Sequence, residues 1–146
     1  MEIDLHEGIR RGYVKKIMIA LLLTLVLGGC KQKEVQHHKD LEESIYTIVA
    51  GEGNSEIKVR SLTDFTWDRA FLFEPYTPQE QIEKQLDVEF EDPSNISRRD
   101  DIYLLVFLRD EEVIQYAEID RQKSDFSMGG SDYITPSRDL IEIERN

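Results

Sequence analysis

Cysteine and tryptophan each occur once in this chain, histidine three times and proline four times. A single cysteine excludes an intrachain disulfide, so the fold must be held by its core alone, which a domain of about a hundred residues can manage. Cations are scarce as well. Eighteen lysines and arginines face 30 aspartates and glutamates, for a net charge of −12. Such a surface repels phosphate backbones, whose binding depends on lysine and arginine, and nucleic acid is disfavoured as a partner. Strong acidity chiefly promotes solubility and leaves basic proteins or cations open as partners. The chain also lacks Gly-x-Gly-x-x-Gly, Gly-x-x-x-x-Gly-Lys, His-Glu-x-x-His and any Asp-x-Asp-x-Asp-Gly calcium loop. The phosphate, zinc and EF-hand chemistries tied to those spacings are therefore not indicated. There is no internal repeat and no low-complexity segment.

Long apolar runs are also few. Lys15-Lys16 precede eleven residues, Ile17 to Leu27, in which only Thr24 is polar. A helix crossing the hydrocarbon core needs about 20 apolar residues. The run instead has the length of a signal-peptide apolar region behind a positive segment. Leu27-Gly28-Gly29-Cys30 follow it, and this order of aliphatic, small, small, cysteine resembles the lipobox of bacterial lipoproteins. The resemblance implies removal of residues 1–29 and a thioether diacylglycerol on Cys30. That covalent lipid is the only non-protein group expected, with no other cofactor and no metal. It would tether the mature chain to the extracytoplasmic face of the cell membrane, two acyl chains sufficing for stable anchoring.

Glu2, Asp4 and Glu7 dilute the positive segment, so residues 1–13 are expected to lie upstream of a true start at Val14. Arg10-Arg11-Gly12 would then be an accidental reading of a ribosome-binding site. Codons without an AGGAGG-like run there would remove this reading. From Cys30 onward the charge is −13, from 14 basic and 27 acidic residues. Residues 30–39 are polar and read as a tether reaching about 30 Å when extended. His37 and His38 fall inside it, adjacent and therefore unable to share a helix face.

Residues 40–146 are expected to form one α+β domain. Leu41, Ile45, Ile48 and Val49 give a helix over 40–49 that ends at Gly51. Ile57 and Val59 alternate with Lys58 and Arg60 as a strand. Phe65, Trp67, Arg69, Phe71 and Phe73 share one parity, so a strand there would carry an aromatic face interrupted only by Arg69. Thr77-Pro78-Gln79-Glu80 has the form of a capping box opening a second helix. Val88 and Phe90 alternate with carboxylates as a short strand. Ile102 to Leu108 suits a central strand buried on both faces. It turns through 109–112 into a returning strand over 113–119. Residues 121–131 read as a loop, and Leu140, Ile141 and Ile143 as a last strand. Two short helices with a mostly antiparallel sheet of four to six strands result.

Trp67-Asp68, Phe71 to Phe73, Pro75-Tyr76-Thr77 and the 102–119 hairpin are similar to small lipoproteins of Gram-positive bacteria, a group that implies no particular activity. Catalytic residues are not expected. The surviving histidines sit in the tether and the only thiol is acylated, so a nucleophile–base pair has no parts. Asp100-Asp101 and Asp125 are ordinary among so many acids. The expectation is a non-enzymatic, membrane-anchored binding or interaction module whose protein or envelope ligand the sequence leaves open. Trp67 and Tyr76 are its candidate binding surface. The alternatives are an inhibitor or immunity protein against a basic extracellular enzyme, and a wall hydrolase working with carboxylates alone.

Overall fold

The computed structural model describes residues 10–19 and 34–146. The chain divides into two units, Met1–Glu34 and Val35–Asn146. In the first, residues 10–19 are helical, and Leu27 to Cys30 lie outside the described residues. No helix among the described residues is long and apolar enough to cross a membrane.

The second unit is an α+β fold with two sheets. In chain order its elements are β1 (Gln36–His37), α1 (Lys39–Ala50), β2 (Glu56–Lys58), α2 (Val59–Leu62), β3 (Arg69–Phe73), α3 (Gln79–Leu86), a 3-10 turn (Ile96–Arg98), β4 (Ile102–Arg109), β5 (Glu112–Asp120), β6 (Ser124–Ser127) and β7 (Leu140–Arg145). The larger sheet has the order β1-β5-β4-β3 and the smaller the order β2-β7-β6. Every pairing is antiparallel except β1 with β5.

β4 organises the whole unit. Its residues from Ile102 to Leu108 are all buried, and because side chains alternate across a strand they feed two cores. Tyr103, Leu105 and Phe107 join Leu41, Ile45 and Val49 of α1 and the inner residues of the smaller sheet, Ile57, Phe126, Ile141 and Ile143. Leu104, Val106 and Leu108 face Phe71, Phe73, Ile82, Leu86, Phe90 and Ile96 instead. The larger sheet is therefore covered on one side by α1 with the smaller sheet and on the other by α3 with the 87–100 loop. A two-residue turn joins β4 to β5, with Asp110 at φ 51° and Glu111 at φ 62°. Two positive φ values in succession match the twist of a tight hairpin.

Several expectations need correction. Residues 35–39 are not tether but part of the fold: Gln36 and His37 pair with Gln115 and Tyr116. The predicted strand after Gly51 stops at Lys58, and Val59–Leu62 coils into a helical turn whose first N–H groups are taken by Asp139. The capping box does not form. Thr77 Oγ1 donates to Glu74 O at 2.6 Å, so it closes the preceding turn, and Pro78 becomes the residue before α3. No strand forms over 88–90, because the Gln79 side chain donates to Phe90 O and accepts from Asp92 N. A strand does form within the expected 121–131 loop, where β6 pairs with β7.

Candidate ligand cleft

The expected aromatic face does not form as one surface. β3 begins only at Arg69, and the irregular stretch before it lets Phe65 and Trp67 fall on the opposite side of the sheet from Phe71 and Phe73. Phe65 and Trp67 both meet the Phe107 ring edge-on, at centroid distances of 5.0 and 5.4 Å. Trp67 is 4% exposed, and its indole N–H donates to Thr63 Oγ1 at 3.0 Å. It is a core residue and not a binding surface. Tyr76 is 59% exposed with φ 66°. Its backbone N–H donates to the carbonyls of Ile96 and Arg99, and its ring stands away from the cavity described next.

That cavity, about 690 Å³, opens at the β3 edge of the larger sheet and is lined by Arg69, Phe71, Glu80, Gln81, Lys84, Gln85, Asp132 and Tyr133. Three elements build it. β3 contributes Arg69 and Phe71, whose side chains share the α3 face of the sheet. α3 turns Ile82 and Leu86 inward, which leaves Gln81, Lys84 and Gln85 for the cleft wall. The third wall is held by a single backbone bridge, in which Ala70 and Ile134 exchange N–H···O bonds of 2.9 Å. This pairing brings Tyr133 beside Phe71.

At its centre three groups form a nearly equilateral triangle. The Arg69 guanidinium lies 5.7 Å from the Phe71 ring centre and 5.6 Å from that of Tyr133, and the rings are 5.5 Å apart. A guanidinium attracted by two aromatic faces is held in place while its N–H edges stay open. Among the described residues Arg69 makes no ion pair and no side-chain hydrogen bond, and neither does Lys84. The other internal arginines contrast with this. Arg99 is clamped by Asp101 at 2.7 Å and Glu118 at 2.8 Å, and its hydrogen bond to Asp101 raises the guanidinium above its ordinary value while lowering the carboxyl. Arg121 is paired with Asp125. That carboxyl is held below the usual range first by Asn146, then by Arg121 and Tyr103.

A second cavity of about 510 Å³ lies at the other edge, lined by residues 36–40 with Asp64, Phe65 and Gln115. Both histidines there have structural work. His37 contacts Glu42 and stacks on Tyr116 at 4.6 Å, while His38 Nδ1 accepts the Leu41 N–H and caps α1. Among the described residues no group of three histidine, cysteine, aspartate or glutamate side chains is placed to hold a metal. The Asp101 carboxylate is held by Arg99, whereas Asp100 meets Arg121 only through its backbone carbonyl, and neither residue lines the cavities described here.

The signal for the cleft was present in part. Arg69 stood out as the one cation in an aromatic row, which marks it as the group the fold holds among rings. Tyr133 carried no such mark, since only the Ala70–Ile134 bridge brings it there. Comparison with protein-family models, with curated proteins and with solved structures gives no match for this chain.

Proposed function

We propose that the chain is a non-enzymatic binding module, tethered to the extracytoplasmic face of the membrane through lipid on Cys30, with the Arg69 cleft as its ligand site. One observation carries the ligand site: a half-buried guanidinium is fixed by two rings and has no anion of its own. Burying a charge is unfavourable unless it is paired, and half-buried Arg69 forms no ion pair among the described residues, so an anionic group on a ligand would supply the partner it lacks. The tether rests on the lipobox-like sequence before Cys30.

Two experiments test the reading. A screen of small acids, amines, sugars and peptides against the full chain, followed by NMR chemical shifts, should place its hits at Arg69, Phe71, Lys84 and Tyr133. Hits that gather at the His38 cavity or scatter over the surface would show that the Arg69 cleft is not the ligand site. Separately, Cys30→Ala should abolish palmitate incorporation and release the protein from the membrane fraction. A variant that stays lipidated and membrane-bound would end the anchor.

One observation favours a second reading. Glu80 and Asp132 line the same cleft, and two carboxylates flanking a bond are the equipment of glycoside hydrolysis. Both side chains are exposed, however, whereas a working general acid of this kind is made by burial. Release of sugar from a wall glycan, lost in Glu80→Gln, would establish the hydrolase in place of the binding module.

A further inference from the structure

We infer that the cleft recognises a peptide by a single free carboxylate at its chain end, an assignment that rests on the binding-module reading above. Arginine presents its N–H groups in a planar fork that matches a carboxylate in two parallel hydrogen bonds. Arg69 has that fork uncommitted, since among the described residues it makes no ion pair and no side-chain hydrogen bond and its neighbours at the guanidinium are the Phe71 and Tyr133 rings. Lys84 faces the same space from α3 and adds a second positive charge.

The rest of the lining selects the ligand further. Glu80 and Asp132 oppose a second negative charge, as does the net charge of the chain. The formal charges of Arg69, Lys84, Glu80 and Asp132 cancel, so a polyphosphate, an acidic peptide run or an anionic surface gains no net attraction, and a single carboxylate is favoured only through the fork of Arg69. Gln81 and Gln85 stand one turn apart on α3, each able to donate to and accept from a peptide group. The exposed rim of Tyr133 offers an apolar face for the terminal side chain. Positive fork, paired carboxamides and aromatic rim together describe the end of a peptide better than a bare anion.

The test uses the full chain and three probes: acetyl-Ala-Ala-Phe with a free carboxylate, the same tripeptide as its C-terminal amide, and inorganic phosphate. Titration followed by NMR should show the acid binding at least about tenfold more tightly than the amide. Arg69→Gln should bring the acid down to the level of the amide and leave the amide unchanged. Lys84→Gln should weaken the acid by a smaller factor, roughly two- to threefold. A circular-dichroism melt of each variant confirms that the fold persists. Equal binding of acid and amide overturns the carboxylate assignment. If Tyr133→Ala then abolishes both, the cleft survives as a ligand site and only its chemistry was misassigned. Phosphate that competes on equal terms with the acid shows that the site reads bare charge, which overturns the peptide. No binding of the acid at millimolar concentration overturns the inference too, and the screen described above then decides whether the cleft binds anything.

Discussion

The two edges of the larger sheet are built on opposite plans. At the β1 edge most of the polar groups are committed to one another, Gln115 Oε1 being a buried exception. His38 N donates to Tyr116 O, Glu42 Oε1 accepts from Glu118 N at 2.7 Å and meets His37, and His38 caps α1. At the β3 edge the polar groups of Arg69 and Lys84 are left uncommitted around a cleft. One edge uses its side chains chiefly to hold the chain, and at the other they are the groups that the proposed ligand would engage. Residues 64–67 run between the two, with Asp64 near His38 at one end and Trp67 leading into β3 at the other.

Substitutions separate by what they damage. Trp67→Ala should cost the most, about 3–5 kcal/mol, because it empties a packed site against Phe107. Urea unfolding measures it, and a variant that loses ligand but keeps its stability would return Trp67 to the binding surface. Glu42→Ala should cost about 1–3 kcal/mol by leaving the Glu118 N–H without its acceptor, with peptide affinity unchanged. Tyr103→Phe removes the phenol's hydrogen bond to Asp125 and should cost about 1 kcal/mol near neutral pH. Burial pushes the Tyr103 phenol up, so the folded state favours its neutral form. That contribution is complete below the ordinary phenol value of about 10 and is lost as pH rises through the folded value. The variant should therefore lose less stability than the parent above about pH 10. Asp101 and Asp125, held low, act in the opposite sense, and their contribution disappears as pH falls through their lowered values. Arg69→Gln should cost no more than about 1 kcal/mol, the worth of its exposed-side contacts with the two rings, while its effect on ligand is the largest of any of these variants. A destabilisation comparable to that of Glu42→Ala would make Arg69 structural and erase the contrast.

The sequence made the fold legible wherever a segment's own pattern decided its state. Ile102 to Leu108 is apolar throughout because it faces two cores, and Leu41, Ile45 and Val49 recur at the helical period because α1 covers one of them. Segments decided by a distant partner were not legible. Ser124–Ser127 holds one apolar residue and is a strand only because β7 lies beside it. Gln36–His37 is polar and two residues long, and nothing local distinguishes it from a tether. Val88–Phe90 showed the reverse error: the alternation was there, but the Gln79 side chain claims a backbone carbonyl that a neighbouring strand would need. The cleft divides the same way. Arg69 and Phe71 share a parity that can be read directly, whereas the third member of the triangle arrives through a tertiary bridge. Cys30, the most explicit residue in the sequence, lies outside the described residues.

The parallel pairing of β1 with β5 has a consequence for the order in which the molecule is made. Gln36 and His37 leave the ribosome well before Gln115 and Tyr116, and Glu42 precedes its donor partner Glu118 by 76 residues. Contacts so distant in sequence must wait for the intervening chain. The earliest part of the unit to be synthesised is thus among the last to find its place. Through that interval the apolar stripe of Leu41, Ile45 and Val49 has no sheet to cover it, so a nascent chain exposes that face of α1 until the β4–β5 hairpin emerges to receive it.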